Sequence, residues 1–429
     1  MSPLHEEVVM GYIGGGLHRA FVERIRGVEP ERLLAVPIDV GKHTAAALVC
    51  DFWGEVVVAP FMFSLDERGF EMFARAVASA GAERGASWTR VGLEQAGHYH
   101  QVLLARLIDH GLDVVLLNPA QVRANRAQDL LRSLKSDVRD LGAMAELLIR
   151  GKGHPAGTVD EAMAAQAALA AHRARRVKAR TALKNQVHKG LDLVFPGLSG
   201  CFRTILDTKL GRLLLTEGMD PVRIRRLGPE RLRAFCLRRG VRVTRAKADQ
   251  VVQVARVALG LPDGIARVHA AVLASDAALL GRLDSEIERI EEGLTEVLPR
   301  TPAAILRTIP RVGVVRASMY GAGVGDPKRF RTSAQVYRLS GLVPKLYESA
   351  GRRRAGTRIA REGKVELREA IIELGRAMRQ GHPDFARYAG ALEARGKRPG
   401  VVACALGHRA NRVAFAMMRD QVPFDSDRW

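Results

Sequence analysis

The sequence predicts an α/β domain followed by a helical remainder. The α/β class rests on apolar runs typical of strands, which alternate with amphipathic segments before residue 151. The helical class rests on a long stretch of strong helix formers that begins after the turn-rich segment GKGHPAG. The chain has 429 residues, 47% of them hydrophobic, which is enough to build two or three domains with sizeable cores.

The first domain is predicted to open with three antiparallel strands and a helix. LLAVPIDV is an almost continuous apolar run, as buried strands are, and Asp39 lies at its end before the break GKH. TAAALVCDF and EVVVAPFMF follow as two more strands, with Trp53 and Gly54 between them as a hairpin requires. Residues 66–80 are amphipathic and predict the helix.

Two further strands and two helices complete this domain. WTRVGLEQAG predicts a fourth strand ending at Glu94, HYHQVLLARLIDHG a helix, and LDVVLLNP a fifth strand. The chain then becomes helical through SDVRDLGAMAELLIR. Asp137 and Asp140 are three residues apart in that segment, so they share one helix face.

Carboxylates placed in this way indicate a metal site. Like charges gathered closely raise each other's pKa unless a cation neutralises them. Carboxylate oxygens suit Mg²⁺ or Mn²⁺, and paired ions can activate a nucleophile and stabilise a leaving oxygen in phosphoryl transfer. The residues alone leave open the alternative that these acids are ordinary solvated side chains, because the same segment carries other aspartates.

The charge distribution indicates a polyanionic partner. The net charge is +21, yet residues 1–150 hold 16 Lys and Arg against 19 Asp and Glu, which leaves 51 against 27 for residues 151–429. Lys and Arg that neutralise phosphates release counterions, so a basic region of this size favours nucleic acid. An Arg-rich, high-GC genome is the alternative explanation of the count.

Residues 153–300 are predicted to form a basic helical region with a coiled-coil pattern. Apolar residues recur at spacings of three and four between residues 265 and 298, as in coiled coils and bundles. The periodicity leaves open whether two helices pair within one chain or between subunits. PVRIRRLGPERLRAFCLRRGVRVTRAK, the most basic part of this region, is interpreted as an insertion with nucleic-acid contacts.

Four motifs in order carry a family resemblance. PIDVGKH, GLEQAGHY, VVLLNPAQVRANR and KSDVRDLGAMAELL resemble the DEDD transposases of bacterial insertion sequences, a group related to Piv-type DNA invertases that includes bridge-RNA-guided recombinases. The resemblance covers roughly residues 33–151 and returns in the C-terminal third. It implies a RuvC-type, RNase H-like domain over residues 33–152, preceded by an N-terminal extension over residues 1–32.

The same resemblance implies the site residues. The family's four catalytic, metal-binding acids map onto Asp39, Glu94, Asp137 and Asp140, with Mg²⁺ or Mn²⁺ as the cofactor. One departure is Leu141, where the family commonly has Ala after the last acid.

The C-terminal domain, residues 301–429, is expected to carry a nucleophile. IPRVG, with Arg311, resembles the turn of a helix-hairpin-helix element, in which a Gly turn lets backbone N–H groups approach a DNA phosphate. The family places such an element before a serine-bearing loop, and its active serine maps onto Ser349. Ala350 stands where many relatives have Gly, and an adjacent alignment selects Glu348 instead. Ser340 is expected to cap or end a helix.

Basic side chains around the loop are expected to bind DNA. They are Lys345, Arg352, Arg353 and Arg354, of which the three arginines are placed to clamp the scissile phosphate through charge-assisted hydrogen bonds. A solvated Arg loop is the alternative. A serine hydroxyl is a weak nucleophile and requires activation by a base, a metal or nearby cations.

Together the residues and the resemblance predict a cytoplasmic, Mg²⁺-dependent, site-specific DNA recombinase or transposase that acts through a serine-DNA intermediate. Its expected partners are DNA, a guide RNA as in some family members, and further copies in a homodimer or homotetramer. No membrane is expected, because no signal peptide or long apolar run is visible. The four cysteines lack metal spacing and are expected to be reduced core residues. A junction-resolving nuclease that hydrolyses DNA and a non-catalytic nucleic-acid-binding protein are the alternatives.

Overall fold

The structure is a computed structural model of the chain and describes residues 21–95, 97–126, 137–157, 160–345, 348–349, 352–353 and 358–427. At residues 137, 348–349 and 352–353 it describes the backbone alone. The chain divides into two compact units, Met1–Val159 and Asp160–Trp429, and each is taken by itself.

The first unit is built on a mixed sheet of six strands in the order β3-β2-β1-β4-β5-β6. β1 and β2 pair antiparallel, as do β2 and β3, whereas β4 pairs parallel with both β1 and β5. The short β6 closes the far edge antiparallel to β5. The strands are β1 (Leu33–Val40), β2 (Thr44–Asp51), β3 (Val56–Ser64), β4 (Trp88–Glu94), β5 (Asp113–Leu117) and β6 (His154–Pro155).

Four helices accompany this sheet: α1 (Glu67–Glu83), α2 (His100–Asp109), α3 (Pro119–Arg126) and α4 (Asp137–Ile149). The five strands predicted from apolar runs are confirmed, as are α1, α2 and α4. The sequence analysis did not predict α3 or β6. Asp66 caps α1 by accepting a hydrogen bond of 2.7 Å from the backbone N–H of Gly69.

Alternate residues of β1 enter two different cores. Leu34, Val36 and Ile38 belong to a core that also holds apolar residues of α1 and α2. Ala35 belongs to a second core with Leu148 and its neighbours on α4. Successive side chains of a strand point to opposite faces, so the sheet is covered on both sides and β1 reads as an uninterrupted apolar run.

The described residues of the second unit are helical apart from connecting segments, the short hairpin of β7 (Glu348–Ser349) and β8 (Arg352–Arg353), and an isolated bridge between Pro344 and Ile359. Its helices are α5 (Glu161–Val194), α6 (Lys209–Thr216), α7 (Pro221–Leu237), α8 (Arg245–Val257), α9 (Asp263–Val297), α10 (Val314–Val324), α11 (Ser333–Leu339), α12 (Val365–Gly381), α13 (Pro383–Ala394) and α14 (Pro399–Asp420). An α/β unit followed by a helical one fits the predicted fold class.

The two longest helices, α5 and α9, pack against each other within one chain. A ladder of ion pairs joins them: Arg173 with Glu291 (2.7 Å), Arg176 with Glu286 (2.8 Å) and Arg180 with Asp284 (3.4 Å). The α9 numbers fall as the α5 numbers rise, so the helices run antiparallel. This contact answers the question that periodicity left open, since the leucine stripe of α9 faces a helix of its own chain.

Residues 195–262 join these two helices and form a core with them. α6, α7 and α8 lie in this segment, and their apolar faces pack on the C-terminal half of α5 and the N-terminal half of α9. α7 is kinked, because Gly228 has φ +62° and Pro229 follows it. We call residues 195–262 the helical insert.

Within the part of the chain that the structure describes, one helix, over Asp263–Arg300, is long and apolar enough to cross a membrane by length and composition alone, which was not expected from the sequence. Three of its acids, Asp284, Glu286 and Glu291, are ion-paired with arginines of α5. Most of its leucines and isoleucines are buried, whereas Ile265 and Leu279 are about half exposed. Core helices of soluble proteins meet the same criterion.

The C-terminal helices share a separate core, in which α12 and α14 approach closely. A Cβ added to Gly375 of α12 would lie 2.8 Å from the backbone nitrogen of Gly407 on α14. Tyr320 of α10 is fully buried, and its hydroxyl donates to Asn411 Oδ1 of α14 over 2.9 Å. All four cysteines are free, and all but the half-buried Cys404 are buried, as the sequence analysis expected.

Candidate active site

Two of the predicted acids lie near the carboxyl ends of adjacent parallel strands, Glu94 as the last residue of β4 and Asp39 as the last but one of β1. Ile38 of β1 pairs with Leu93 of β4, so the next residues, Asp39 and Glu94, emerge at the same level of the sheet. Both are half-buried. The apolar run of each strand ends close to its acid, so the ends of both strands could be predicted from the sequence.

The third acid comes from the helix that covers this part of the sheet. α4 packs on β1 and β4, and Asp140, only 6% exposed, lies in its second turn. Gly92 in β4 permits this approach, because a Cβ at that position would lie 2.6 Å from Leu148 Cδ2. Asp137 is the first residue of α4, and its side chain lies outside the described part of the chain.

The pKa of Glu94 responds to the charges of the other two acids. Burial raises the pKa of Glu94 above its usual value, and the carboxylates of Asp39 and Asp140 raise it further. The guanidinium groups of Arg123 and Arg126 act in the opposite direction. Glu94 therefore lies within electrostatic reach of Asp39 and Asp140, which are 55 and 46 positions away from it in sequence.

Arg126, which the sequence analysis overlooked, pairs with one of these acids. Its Nη1 donates to Asp140 Oδ1 over 2.5 Å, and the side chain of Arg126 is 30% exposed. Asn125 secures the same helix, since its Nδ2 donates to the Ala143 carbonyl (3.1 Å) and to Glu146 Oε2 (3.0 Å) of α4. The sequence feature that could have indicated this role is the spacing of Arg123 and Arg126, which are three residues apart and so share one face of a helix.

The donor set suits a hard divalent cation. Carboxylate oxygens are the preferred ligands of Mg²⁺ and Mn²⁺, and a cation among them would remove the repulsion that raises the pKa of Glu94. Among the side chains that the structure describes, no three His, Cys, Asp or Glu are already close enough to hold a metal ion. The side chain of Asp137, the fourth acid, is not among those described.

The predicted nucleophile lies in the short hairpin of the second unit. Ser349 pairs with Arg352 and Glu348 with Arg353, so the two strands place Ser349 directly across from an arginine in the backbone register. Arg354 lies outside the described residues.

Ser340 is confirmed as a helix-ending residue. It is fully buried and follows the last residue of α11, and its Oγ donates to the Tyr337 carbonyl over 2.6 Å. A buried hydroxyl engaged with its own helix is not available to a phosphodiester, so Ser340 does not compete with Ser349 as the nucleophile.

The base of the serine loop is tied together by the backbone and by one arginine. The N–H of Lys345 donates to the Arg358 carbonyl, and the N–H of Ala360 to the Val343 carbonyl, each over 2.8 Å. Arg368 of α12 reaches the Ser340 carbonyl (2.9 Å) and the Arg361 carbonyl (2.8 Å). The sequence analysis did not identify Arg368, whose partners lie up to 28 positions away.

Cations surround this loop base. Lys345 is exposed, and its Nζ lies 4.0 Å from Glu362 Oε1. The pKa of Lys364 is lowered by burial and then by the neighbouring Arg329 guanidinium. Burial also lowers the pKa of Arg329 itself. Asp326 acts on Arg329 in the opposite direction, as Glu366 does on Lys364, so both cations already have an acid nearby.

The IPRVG turn exposes its arginine. Ile309 and Val312 are buried, whereas Arg311 between them is exposed and has φ +67°. The Arg311 carbonyl accepts a hydrogen bond of 3.1 Å from Arg316, and Gly313 precedes the first residue of α10. A 3₁₀ segment, Pro302–Thr308, comes before the turn, so the turn joins two helical segments.

Two family models match this chain. A model of DEDD transposases of the IS110 type, described as a transposase, matches residues 36–196, and a model described as the transposase IS116/IS110/IS902 family matches residues 303–389. The first range contains the four acids, and the second contains Arg311 and Ser349.

Individual relatives agree with these models. The chain is 27% identical over 322 residues to the insertion element IS116 44.8 kDa protein of Streptomyces clavuligerus, covering 74% of this chain and 77% of the relative. It is 25% identical over 248 residues to the insertion element IS110 43.6 kDa protein of Streptomyces coelicolor, covering 57% and 60%. It is 24% identical over 150 residues to the pilin gene-inverting protein of Moraxella bovis, covering 32% and 45%.

The first unit carries acids at the carboxyl ends of its two central strands, and the second unit carries a serine in a short hairpin. These acids and this serine lie in the ranges matched by the two family models. The chain belongs to the IS110 family of DEDD transposases and is a DNA transposase or recombinase.

Proposed function

We propose that this transposase is a Mg²⁺-dependent, site-specific recombinase that exchanges DNA strands through a covalent serine-DNA intermediate. The observation that carries the proposal is that Asp39 and Asp140 both raise the pKa of Glu94, at the carboxyl ends of the central strands β1 and β4. With Asp137 they would form a RuvC-type, RNase H-like site that holds Mg²⁺ or Mn²⁺. The bound ion would supply charge neutralisation at the reacting phosphate.

The proposed chemistry at the serine is a transesterification. The Ser349 hydroxyl oxygen attacks the scissile phosphorus and forms an Oγ–P bond, while the bond from phosphorus to one deoxyribose oxygen breaks. The hydroxyl proton passes to a base, and the departing oxygen leaves as a hydroxyl after taking a proton. Rejoining reverses these events with a hydroxyl from another strand, so no oxidant or energy source is consumed.

Basic groups near the hairpin would hold the DNA. We assign the scissile phosphate to Arg352, Arg353 and Arg354 and the flanking backbone to Lys345 and Arg311. Guanidinium groups suit this task because they donate paired hydrogen bonds to phosphate oxygens. The exposure of Lys345 and of Arg311 supports these assignments.

An exposed apolar stripe supports the proposal of a homodimer or homotetramer. Ile265, Val268, Val272 and Leu279 of α9 are each about half exposed and are spaced three, four and seven residues apart. This is the seam of a heptad pattern, which fits the same seam on a second copy. We expect Val268→Glu with Val272→Glu to reduce the particle mass measured by light scattering, and Val222→Glu on α7 to leave it unchanged.

A guide RNA remains part of the proposal. Its support is the excess of positive charge after residue 150. Protein purified from cells that carry the element's flanking DNA would retain a defined RNA that ribonuclease removes, with loss of target choice. The same RNA from every unrelated expression plasmid would contradict guidance. The expected location is the cytoplasm.

The adduct test decides between strand exchange and hydrolysis. Purified protein is mixed with Mg²⁺, junction DNA and any flanking RNA, and a denaturing gel shows whether protein remains joined to DNA. Ser349→Ala and Asp39→Asn should both abolish the adduct, whereas Asp109→Asn, an exposed control at the end of α2, should retain it. Free DNA ends that persist in Ser349→Ala would instead establish the junction-resolving nuclease. Binding without any Mg²⁺-dependent cleavage would establish the non-catalytic alternative.

A further inference from the structure

A cleft in the helical insert gathers positive charge without matching acids. It has a volume of about 620 Å³ and lies between the start of α6 and the start of α8. Four cationic residues line it: Arg203, Lys209, Arg242 and Lys247. Among the described residues, no Asp or Glu lines the cleft. A concave surface with one sign of charge concentrates the field and attracts the opposite charge.

The cations of the cleft form no ion pairs with the acidic side chains that the structure describes. Elsewhere in the insert, arginines are neutralised, as Arg239 is by Glu217 over 2.7 Å and Arg212 by Asp284 over 2.8 Å. Within the described part of the chain, Arg203, Lys209 and Arg242 enter no ion pair, and all three are exposed. They therefore keep their charge available to a ligand.

Lys247 and Phe202 give the cleft a fixed wall. The Lys247 Nζ donates to the Cys201 carbonyl and, over 3.0 Å, to Gln250 Oε1, and it lies 4.4 Å from the centre of the Phe202 ring. These contacts hold the ammonium in place beside an aromatic ring. Positive charge next to an aromatic surface is a feature of sites that bind nucleic-acid strands.

Two helix starts add to the same field. Thr208 caps α6 by accepting from the Gly211 N–H over 3.0 Å, and Thr244 caps α8 by accepting from the Lys247 N–H over 3.2 Å. Both residues line the cleft. The first turns of both helices therefore place partial positive charge at the cleft in addition to the four cations.

We propose that this cleft binds the phosphodiester backbone of a nucleic acid. Its volume lies within the range of about 300–1,000 Å³ of pockets that hold drug-sized molecules, so a single phosphate would not fill it. Linked phosphates match both the volume and the four charges. The inference rests on the proposed action on DNA and gives the helical insert a role as a backbone contact outside the reacting centre.

The test is the salt dependence of binding by the full-length protein. The probe is a short fluorescent duplex DNA without element sequences, titrated at several KCl concentrations. Arg203→Gln with Arg242→Gln should reduce the slope of log affinity against log salt by about 2. The matched control, Arg226→Gln with Arg238→Gln, removes the same charge from two exposed positions outside the cleft, one in α7 and one directly after its last residue, and should change the slope by well under 1.

A second variant protects the test against misfolding. Lys209→Glu reverses a charge in the cleft at the first residue of α6, where an acidic side chain favours the helix. We expect an unchanged melting temperature and a slope reduced by about 1 or more. Equal slopes for the cleft variants and the α7 control would overturn the proposal, as would competition by an acidic peptide as effective as competition by nucleic acid.

Two further arms separate the sources of the backbone and the two proposals. Single-stranded DNA and duplex RNA probes show which backbone depends on the cleft, and a loss confined to either one still assigns the cleft to phosphodiester. At saturating protein the cleft variants should retain the Ser349 adduct, whereas Ser349→Ala should bind with the wild-type slope. A failure of the serine chemistry would therefore leave the binding result unaffected.

Discussion

Arg126 donates to Asp140 across 2.5 Å, so a cation of the protein lies against one of the acids assigned to the metal site. The pair joins α3 to α4, and both Arg126 and Arg123 oppose the rise in the pKa of Glu94. The acid cluster thus carries its own partial neutralisation. A metal ion held by these acids would add to that neutralisation.

Replacing Arg126 with Gln should destabilise the protein and strengthen its response to metal. Asp140 would keep its buried charge without its partner, and we expect the free energy of unfolding to fall by about 1.5–3 kcal/mol. Mg²⁺ should then raise the melting temperature of the variant more than that of the wild type, because the acids have lost a neutralising neighbour. Differential scanning calorimetry with and without Mg²⁺ measures both effects.

The control for that prediction is Arg106→Gln. Arg106 pairs with Glu67 over 2.8 Å at an exposed position, so its loss should cost less than about 1 kcal/mol and leave the Mg²⁺ response unchanged. An identical Mg²⁺ response in all three proteins would show that Arg126 does not act on the metal site.

Gly92→Ala should disturb the strand-helix contact that positions Asp140. The added Cβ would lie within 2.9 Å of three atoms of Leu148, and we expect a loss of about 1–3 kcal/mol together with reduced cleavage. Gly142→Ala is the matched control on α4, because nothing lies within 4 Å of its Cβ and Ala favours a helix. Urea unfolding should show the first variant less stable and the second more stable than the wild type.

Ser340→Ala should retain the covalent adduct that Ser349→Ala loses. The change removes the hydrogen bond to the Tyr337 carbonyl (2.6 Å) and the longer one from the Leu342 N–H (3.4 Å), with an expected cost of about 0.5–1.5 kcal/mol for each. Adduct yield, measured on a denaturing gel below the melting temperature, should match the wild type. Loss of the adduct in a folded Ser340→Ala protein would contradict the assignment of Ser349.

Asp66→Asn should reveal a pH-dependent helix cap. Hydrogen bonds from the Gly69 N–H and the Ser64 hydroxyl lower the pKa of Asp66 below its usual 3.8. The charged cap therefore stabilises the fold fully above pH 3.8, and this contribution is lost as the pH falls through the lower pKa of the folded state. The wild type should be more stable than the variant at neutral pH, and the difference should shrink in acid.

A charge control accompanies this measurement. Glu71→Gln removes an acid from the exposed side of the same helix, where Glu71 pairs with Arg75 over 3.6 Å. It should leave the acid-unfolding midpoint close to that of the wild type. A difference between Asp66→Asn and wild type that persists unchanged in acid would contradict the capping account.

The sheet could be predicted from the sequence because a strand that is buried on both faces consists of a nearly continuous run of apolar residues. The runs of β1 and β4 stop at Asp39 and Glu94, so the acids at the strand ends could be identified before their pairing was known. Parallel pairing of β1 with β4 then brought them level. Two acids of the site thus followed from local pattern and from the resemblance.

Contacts between segments that are distant in sequence could not be predicted in the same way. The Arg126–Asp140 pair depends on how α3 packs on α4, and the partner of α9 depends on arginines about a hundred positions away on α5. Periodicity defines which face of a helix is buried, but any helix with a matching stripe can cover it. The cleft of the helical insert likewise needs residues from both of its ends, at Arg203 and Arg242.

Mapping the protein-DNA adduct by mass spectrometry tests the central claim most directly. Trypsin cuts after Lys345 and Arg352 and releases the peptide LYESAGR, which contains Ser349. After a Mg²⁺-dependent reaction with junction DNA and nuclease digestion, the account predicts a nucleotide attached to Ser349 in this peptide. A nucleotide on another residue, or cleaved DNA with no modified peptide, would contradict it.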